Sequence, residues 1–121
     1  MATITRELQD GLTIGDKKHT RAEIREYTAG DLIDASSAAE RVVYTDAGPV
    51  FVTSPTLMDM ELMTRQVVRI GEHKGPLSIA ELRKLSGRDL MTLQMMVKAL
   101  DSGAANEVAS RGRSDGSQGA D

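Results

Sequence analysis

The chain has 121 residues, with 15 Lys and Arg against 18 Asp and Glu, a formal net charge of −3. So mild a charge gives no electrostatic reason to expect affinity for nucleic acid or an anionic membrane. There is no cysteine, which excludes disulfides and thiolate metal sites, and the only aromatic residues are Tyr27, Tyr44 and Phe51. Any core must therefore be aliphatic and rich in methionine. The length suits one small domain with or without tails. No run approaches the ~18 apolar residues that a membrane helix needs. The opening MATITRELQDG lacks the apolar stretch of a secretory signal. A soluble intracellular protein is expected.

Residues 3–14 alternate weakly around Ile4, Leu8, Leu12 and Ile14, and Gly15-Asp16-Lys17-Lys18 is a turn signal. From His19 to Tyr27 the period is two, with Thr20, Ala22 and Ile24 on one side and Arg21, Glu23 and Arg25 on the other. That is the pattern of a half-buried strand. It predicts a hairpin pairing roughly Leu12–Ile14 with Ala22–Glu26, which must pack on something to be stable in water.

Thr28 followed by Asp31 resembles a capping box with Asp in place of Glu. Asp31 and Asp34 also lie at the positive end of the helix dipole. The helix is expected over about 29–40, with Leu32, Ile33, Ala35 and Ala39 as its apolar side. Residues 41–53, RVVYTDAGPVFVT, are β-prone at both ends, and either a second hairpin or a loop satisfies them. Pro49 lacks a ladder donor and belongs in a turn or at an edge.

Ser54-Pro55 reads as the cap and first position of a long helix, about 55–72. Met60, Met63, Val67 and Ile70 give it an apolar stripe, and Glu61 with Arg65 an i, i+4 pair. His73 and Lys74 suit its last turn. Ser78 and Glu81 form a capping box for a short helix over 78–85, with Leu77 and Leu82 placed as a hydrophobic staple. Ser86 and Asp89 repeat the box and open a helix over 87–101. Leu82, Leu85, Leu90, Leu93, Val97 and Leu100 are the expected core. Met91, Met95 and Ala99 form a second apolar strip on a different face, which implies a second packing partner. From Ser102 the sequence is Gly-, Ser- and Ala-rich and cannot offset its ordering entropy.

Together these readings predict an α+β fold. An N-terminal β-hairpin (3–27) is followed by a small, mostly helical bundle of three to four helices in one domain, 1–101. A disordered tail occupies 102–121.

Catalytic signatures are missing: there is no G-x-S-x-G, no phosphate-binding Gly loop and no H-E-x-x-H. His19 and His73 have no ligand or carboxylate at a motif spacing and read as solvated histidines. The expectation is a binding protein, not an enzyme, with no cofactor and no metal. Residues 78–100 also allow a helix-turn-helix, and hence a small DNA-binding regulator. Against it, the second helix starts with Arg88, Asp89, Thr92 and Gln94, nearly neutral, and its methionines suit a DNA groove poorly. Met is flexible and polarisable and serves surfaces that accept varied apolar partners. It also fills irregular aliphatic cores. Met58, Met63, Met91, Met95 and Ala99 are the candidate partner-binding surface.

Two motifs occur together. Arg25-Glu26-Tyr27-Thr28-Ala29-Gly30-Asp31-Leu32 resembles the R-E-x-T-x-x-D-L stretch of the tail assembly proteins of Mu-like phages. Gly75-Pro76-Leu77-Ser78-Ile79, with Leu82, Leu85, Asp89, Leu90 and Leu93, is similar to that family's pLT-x-x-x-L-x-x-L-x-x-x-D-L-x-x-L ending. The motif residues are thus Arg25, Thr28, Asp31, Leu77, Ser78, Leu82, Leu85, Asp89, Leu90 and Leu93. Ser78 stands for the commoner Thr and Tyr27 for a frequent Pro. Residues 42–53 match least. The resemblance covers roughly 4–100 and implies a tail assembly chaperone. Such a protein binds the aggregation-prone tape measure protein and keeps it soluble while tail tube subunits assemble around it. The implied partners are the tape measure protein and the tail tube protein, with self-association or a longer, frameshifted form besides, and neither nucleic acid nor membrane. The implied place is the host cytoplasm, not the mature virion.

Overall fold

In the computed structural model the element order is β1 (Thr3–Ile14), β2 (Lys17–Arg25), α1 (Ala29–Ala38), β3 (Glu40–Thr45), β4 (Gly48–Thr53), α2 (Pro55–Gln66), β5 (Val67–Ile70), β6 (His73–Lys74), α3 (Ile79–Leu82) and α4 (Gly87–Ala120). Residues 1–103 are described with their side chains; of 104–121 only the extent of the last helix is given. The disordered tail expected over 102–121 lies outside the described residues, save Ser102 and Gly103, which continue α4.

The first hairpin forms, in a different register. Gly15 at φ +61° and Asp16 make a two-residue turn, so Ile14 faces Lys17 and Leu12 faces His19. Ala22 and Ile24 then meet Arg6 and Ile4, not the Leu12–Ile14 stretch. Between Glu7 and Leu12 the register shifts, so that Leu8, Gln9, Asp10 and Gly11 stand against Thr20 alone. This is a bulge of β1, and Gly11 takes φ +78° within it.

The mostly helical bundle is corrected by the sheet that this hairpin joins. Four strands run in the order β1-β2-β5-β6, all antiparallel, and a second, two-stranded sheet pairs β3 with β4. The helix expected to reach residue 72 stops at Gln66. Three of the next four residues, Val67, Val68 and Ile70, are β-branched and stiff in a way that suits a strand. Ile70 pairs with Ala22 and Val67 with Ile24. Gly71, at φ +59°, then turns the chain and donates its N–H to the Arg21 carbonyl at 2.7 Å.

One face of the large sheet is apolar. Leu8, Leu12, Ala22, Ile24, Val67 and Ile70 are buried there, together with Met63 of α2, Leu77, Leu82 of α3 and Leu93, Met96 and Leu100 of α4. Each fully buried aliphatic side chain contributes roughly 1.5–3 kcal/mol relative to exposure. Of the expected core, Leu82, Leu93 and Leu100 are buried, while Leu85, Leu90 and Val97 pack on it partly exposed. The opposite face of the sheet is wet. It carries the exposed ion pair Glu7–Arg21 at 3.7 Å and the half-exposed pair Glu23–Arg69 at 3.4 Å, which add little stability.

Helix α1 stands outside this core. It packs on α2 through Ala35, and Ala39 is buried just after its end, whereas Leu32 and Ile33, expected on its apolar side, are exposed. Residues 41–53 choose the hairpin over the loop: β3 and β4 pair from Glu40 with Thr53 to Thr45 with Gly48 around Asp46-Ala47. Pro49 sits opposite Tyr44, one residue from the turn.

Candidate partner-binding surface

The start of α4 is fastened to β1. Asp89 is fully buried, although it opens a helix. Its carboxylate accepts the backbone N–H groups of Gln9 at 2.7 Å, Asp10 at 3.0 Å and Gly11 at 2.8 Å. The bulge turns three consecutive amides inward, and Asp89 satisfies all three. The expected box at Ser86 is therefore half made: Ser86 Oγ accepts the Asp89 N–H at 3.3 Å, and the Asp89 side chain serves β1 instead. Beside it, Arg88 donates from Nε and Nη2 to the two Asp10 carboxylate oxygens at 2.7 and 2.6 Å. These bonds, helped by Ser86, hold the Asp10 carboxyl well below the usual carboxylate range. A helix-turn-helix needs this first turn free to meet DNA; here Arg88 and Asp89 are engaged by β1, and α3 is only four residues long.

Arg25 is a second junction. It donates to the Asp31 carboxylate at 2.7 and 3.2 Å and to the carbonyls of Glu26 and Arg65, both at 2.8 Å. Asp31 also accepts the Thr28 N–H at 2.8 Å while Thr28 Oγ1 accepts the Asp31 N–H at 3.1 Å, a complete capping box. One guanidinium thus ties the end of β2 to the start of α1 and the end of α2. It is the main reason that the Asp31 pKa falls to about 2, with the Thr28 amide helping. The Ser78–Glu81 box is likewise complete.

The motif residues therefore hold structure. Arg25, Thr28 and Asp31 form the α1 junction, Leu77, Leu82 and Leu93 are core, Leu85 and Leu90 flank it, Ser78 caps α3 and Asp89 locks α4. The expected surface set divides. Met63 is buried in the core, because the turn of α2 that carries it faces the sheet. Met58 is half-buried on α2. Met91 and Met95 are 61% and 68% exposed, and Ala99 is exposed beside them. Met95 and Ala99, with Ile4, Arg6 and Thr92, line a shallow groove between α4 and the start of β1.

The sequence reading did not assign a larger apolar surface, the β3–β4 hairpin. Val42, Val43, Tyr44, Val50, Phe51 and Val52 are all exposed, Tyr44 at 81% and Phe51 at 76%. Opposed residues share a face, so Val42 and Tyr44 lie with Phe51, and Val43 lies with Val50 and Val52. Neither face is polar. The signal was present in VVYT and VFVT, where a half-buried strand would alternate with polar residues.

The histidines are not both solvated. His19 is buried, and its Nδ1 accepts the Glu72 N–H at 3.3 Å. His73 Nε2 lies 2.6 Å from a Glu81 carboxylate oxygen. Among the described residues no group of three His, Cys, Asp or Glu side chains is arranged to hold a metal ion. No described helix is long and apolar enough to cross a membrane.

The profile of one protein family, described as "Tail assembly protein gp41", matches residues 8–113. The chain is 43% identical over 112 residues to "Probable tail assembly protein gp41" of Escherichia phage Mu, covering 88% of this chain and 78% of that one. It is 40% identical over 109 residues to "Mu-like prophage FluMu protein gp41" of Haemophilus influenzae, covering 89% and 86%. With "Probable tail assembly protein FS-gp41" of phage Mu it shares 43% identity over 103 residues, 82% of this chain but 55% of the relative. No solved structure matches the chain.

Proposed function

The chain belongs to the tail assembly protein gp41 family, and on that premise we propose that it is a tail assembly chaperone which binds the tape measure protein. It keeps that protein soluble while the tail tube assembles. The observation that carries the reading is an apolar surface left over after the core is complete: Met91 and Met95 on α4, and both faces of the β3–β4 hairpin. Contiguous exposed apolar side chains mark a surface that a partner covers. The methionine strip suits an amphipathic helix that lays its apolar side against α4. The protein works by binding, without catalysis, in the host cytoplasm, and leaves before the virion is finished. The tail tube protein is a second partner. A longer form with the same N-terminal domain fits the two phage Mu relatives, of which this chain covers 78% and 55%.

Co-expression with the tape measure protein of the same phage tests the reading. The tape measure protein should stay soluble and co-purify with the chain, and precipitate without it. Equal solubility in both cases, with no co-purification, contradicts the proposal.

A further inference from the structure

A groove separate from the methionine strip runs between α2 and α4. Met60, Leu62 and Met63 of α2 and Val97 of α4 give it apolar walls. Its polar groups are one-sided. Asp59 lines it from α2 and Asp101 from α4, and among the described residues no basic side chain lines it. Gln66, fully buried, lines it as well. The Gln66 side-chain amide donates to the Arg25 carbonyl at 3.0 Å, but its Oε1 has no donor among the described residues. A buried acceptor normally has one. At the groove lies the half-exposed ring of Tyr27, whose face attracts a cation.

We propose that this groove docks a partner segment that is apolar and carries one lysine or arginine, the cation resting among Asp59, Asp101, Gln66 Oε1 and the Tyr27 ring. The proposal rests on the tail assembly reading for the partner's identity, and it adds the chemistry of the segment. Two carboxylates, an unmet acceptor and an aromatic face all favour positive charge, and two like-charged carboxylates facing one groove disfavour an acidic segment. The apolar walls supply the burial that a lone cation lacks. The occupant is therefore an amphipathic segment with a basic residue on its apolar flank.

The test uses the full chain and two labelled helical peptides, one of leucine and lysine, the other of leucine and glutamate, followed by fluorescence anisotropy. The lysine peptide should bind and the glutamate peptide should not. The D59N/D101N double variant should bind the lysine peptide roughly tenfold more weakly, and Gln94→Lys, at an exposed lining position, should do the same. Neutralising the distant Asp16 and Asp46 as D16N/D46N should change nothing. Equal binding of the two peptides overturns the proposal, as does wild-type affinity in D59N/D101N. A wild-type dimer that D59N/D101N dissociates also overturns it, since the occupant is then a second copy. Loss of the tape measure complex in M91E/M95E alone bears on the proposed function and leaves this groove standing.

Discussion

The carboxylate of Asp89 accepts the backbone N–H of Gly11 at 2.8 Å, joining residues 78 positions apart. The same side chain satisfies Gln9 and Asp10. A β-bulge leaves amides without a ladder partner, and a buried carboxylate at a helix start answers them with charge-assisted bonds. Asp89→Ala strands three part-buried donors, and should lower unfolding stability by about 2–3 kcal/mol. Asp89→Asn keeps one oxygen acceptor and should cost less. Urea midpoints at constant slope measure both. Equal stability of wild type and Asp89→Ala would show that the bulge does not depend on this contact.

Two glycines separate strain from collision. A Cβ on Gly75 would lie 1.9 Å from the Val67 carbonyl oxygen, a backbone atom that no side-chain rotation can move. Gly75→Ala should therefore abolish soluble, folded protein. Gly15 sits at φ +61° with open space around it, so Gly15→Ala should cost only the left-handed conformation, about 1–2 kcal/mol. Circular dichroism and thermal melts of the two variants distinguish them.

The Arg25–Asp31 pair sets an acid limit. The folded-state pKa of Asp31, about 2, lies below the ordinary value of 3.8, so the folded protein holds this proton less tightly than the unfolded chain. Its contribution to stability is complete above the ordinary value and is lost as pH falls from there through about 2. Arg25→Gln should raise the Asp31 pKa toward the ordinary value and remove this part of the acid slope. NMR titration of Asp31 in both proteins measures it; an unchanged pKa in Arg25→Gln would assign the shift to the Thr28 cap alone.

Local signals were legible in the sequence because they are local. Thr28–Asp31, Ser78–Glu81 and Ser54-Pro55 are caps whose partners lie within three residues, and all three stand where the spacing put them. The alternation of β2 identified its inner face, Ala22 and Ile24. Strand β5 was hidden because Met60, Met63, Val67 and Ile70 keep helical spacing across the helix end. The β-branched run followed by Gly71 carried the truer signal. Asp89 was legible as a helix-start residue but not as the anchor of β1, because its partners belong to a distant bulge. The methionines could not be sorted by spacing alone: Met63 and Met96 face the sheet, while Met91 and Met95 face outward.

That division predicts opposite costs on one helix. Leu93, fully buried between α4 and the sheet, should lose about 2–5 kcal/mol on change to Ala. The exposed Met91 and Met95 changed to Glu should stay within about 0.5 kcal/mol of wild type. Chemical denaturation of the two variants checks both figures, and a large loss in M91E/M95E would place those methionines in the core.

The most direct test of the account is the amount of tape measure protein retained by the tagged M91E/M95E variant after co-expression, compared with wild type. The account predicts a folded variant that retains little or none. A folded variant that retains as much as wild type would contradict it.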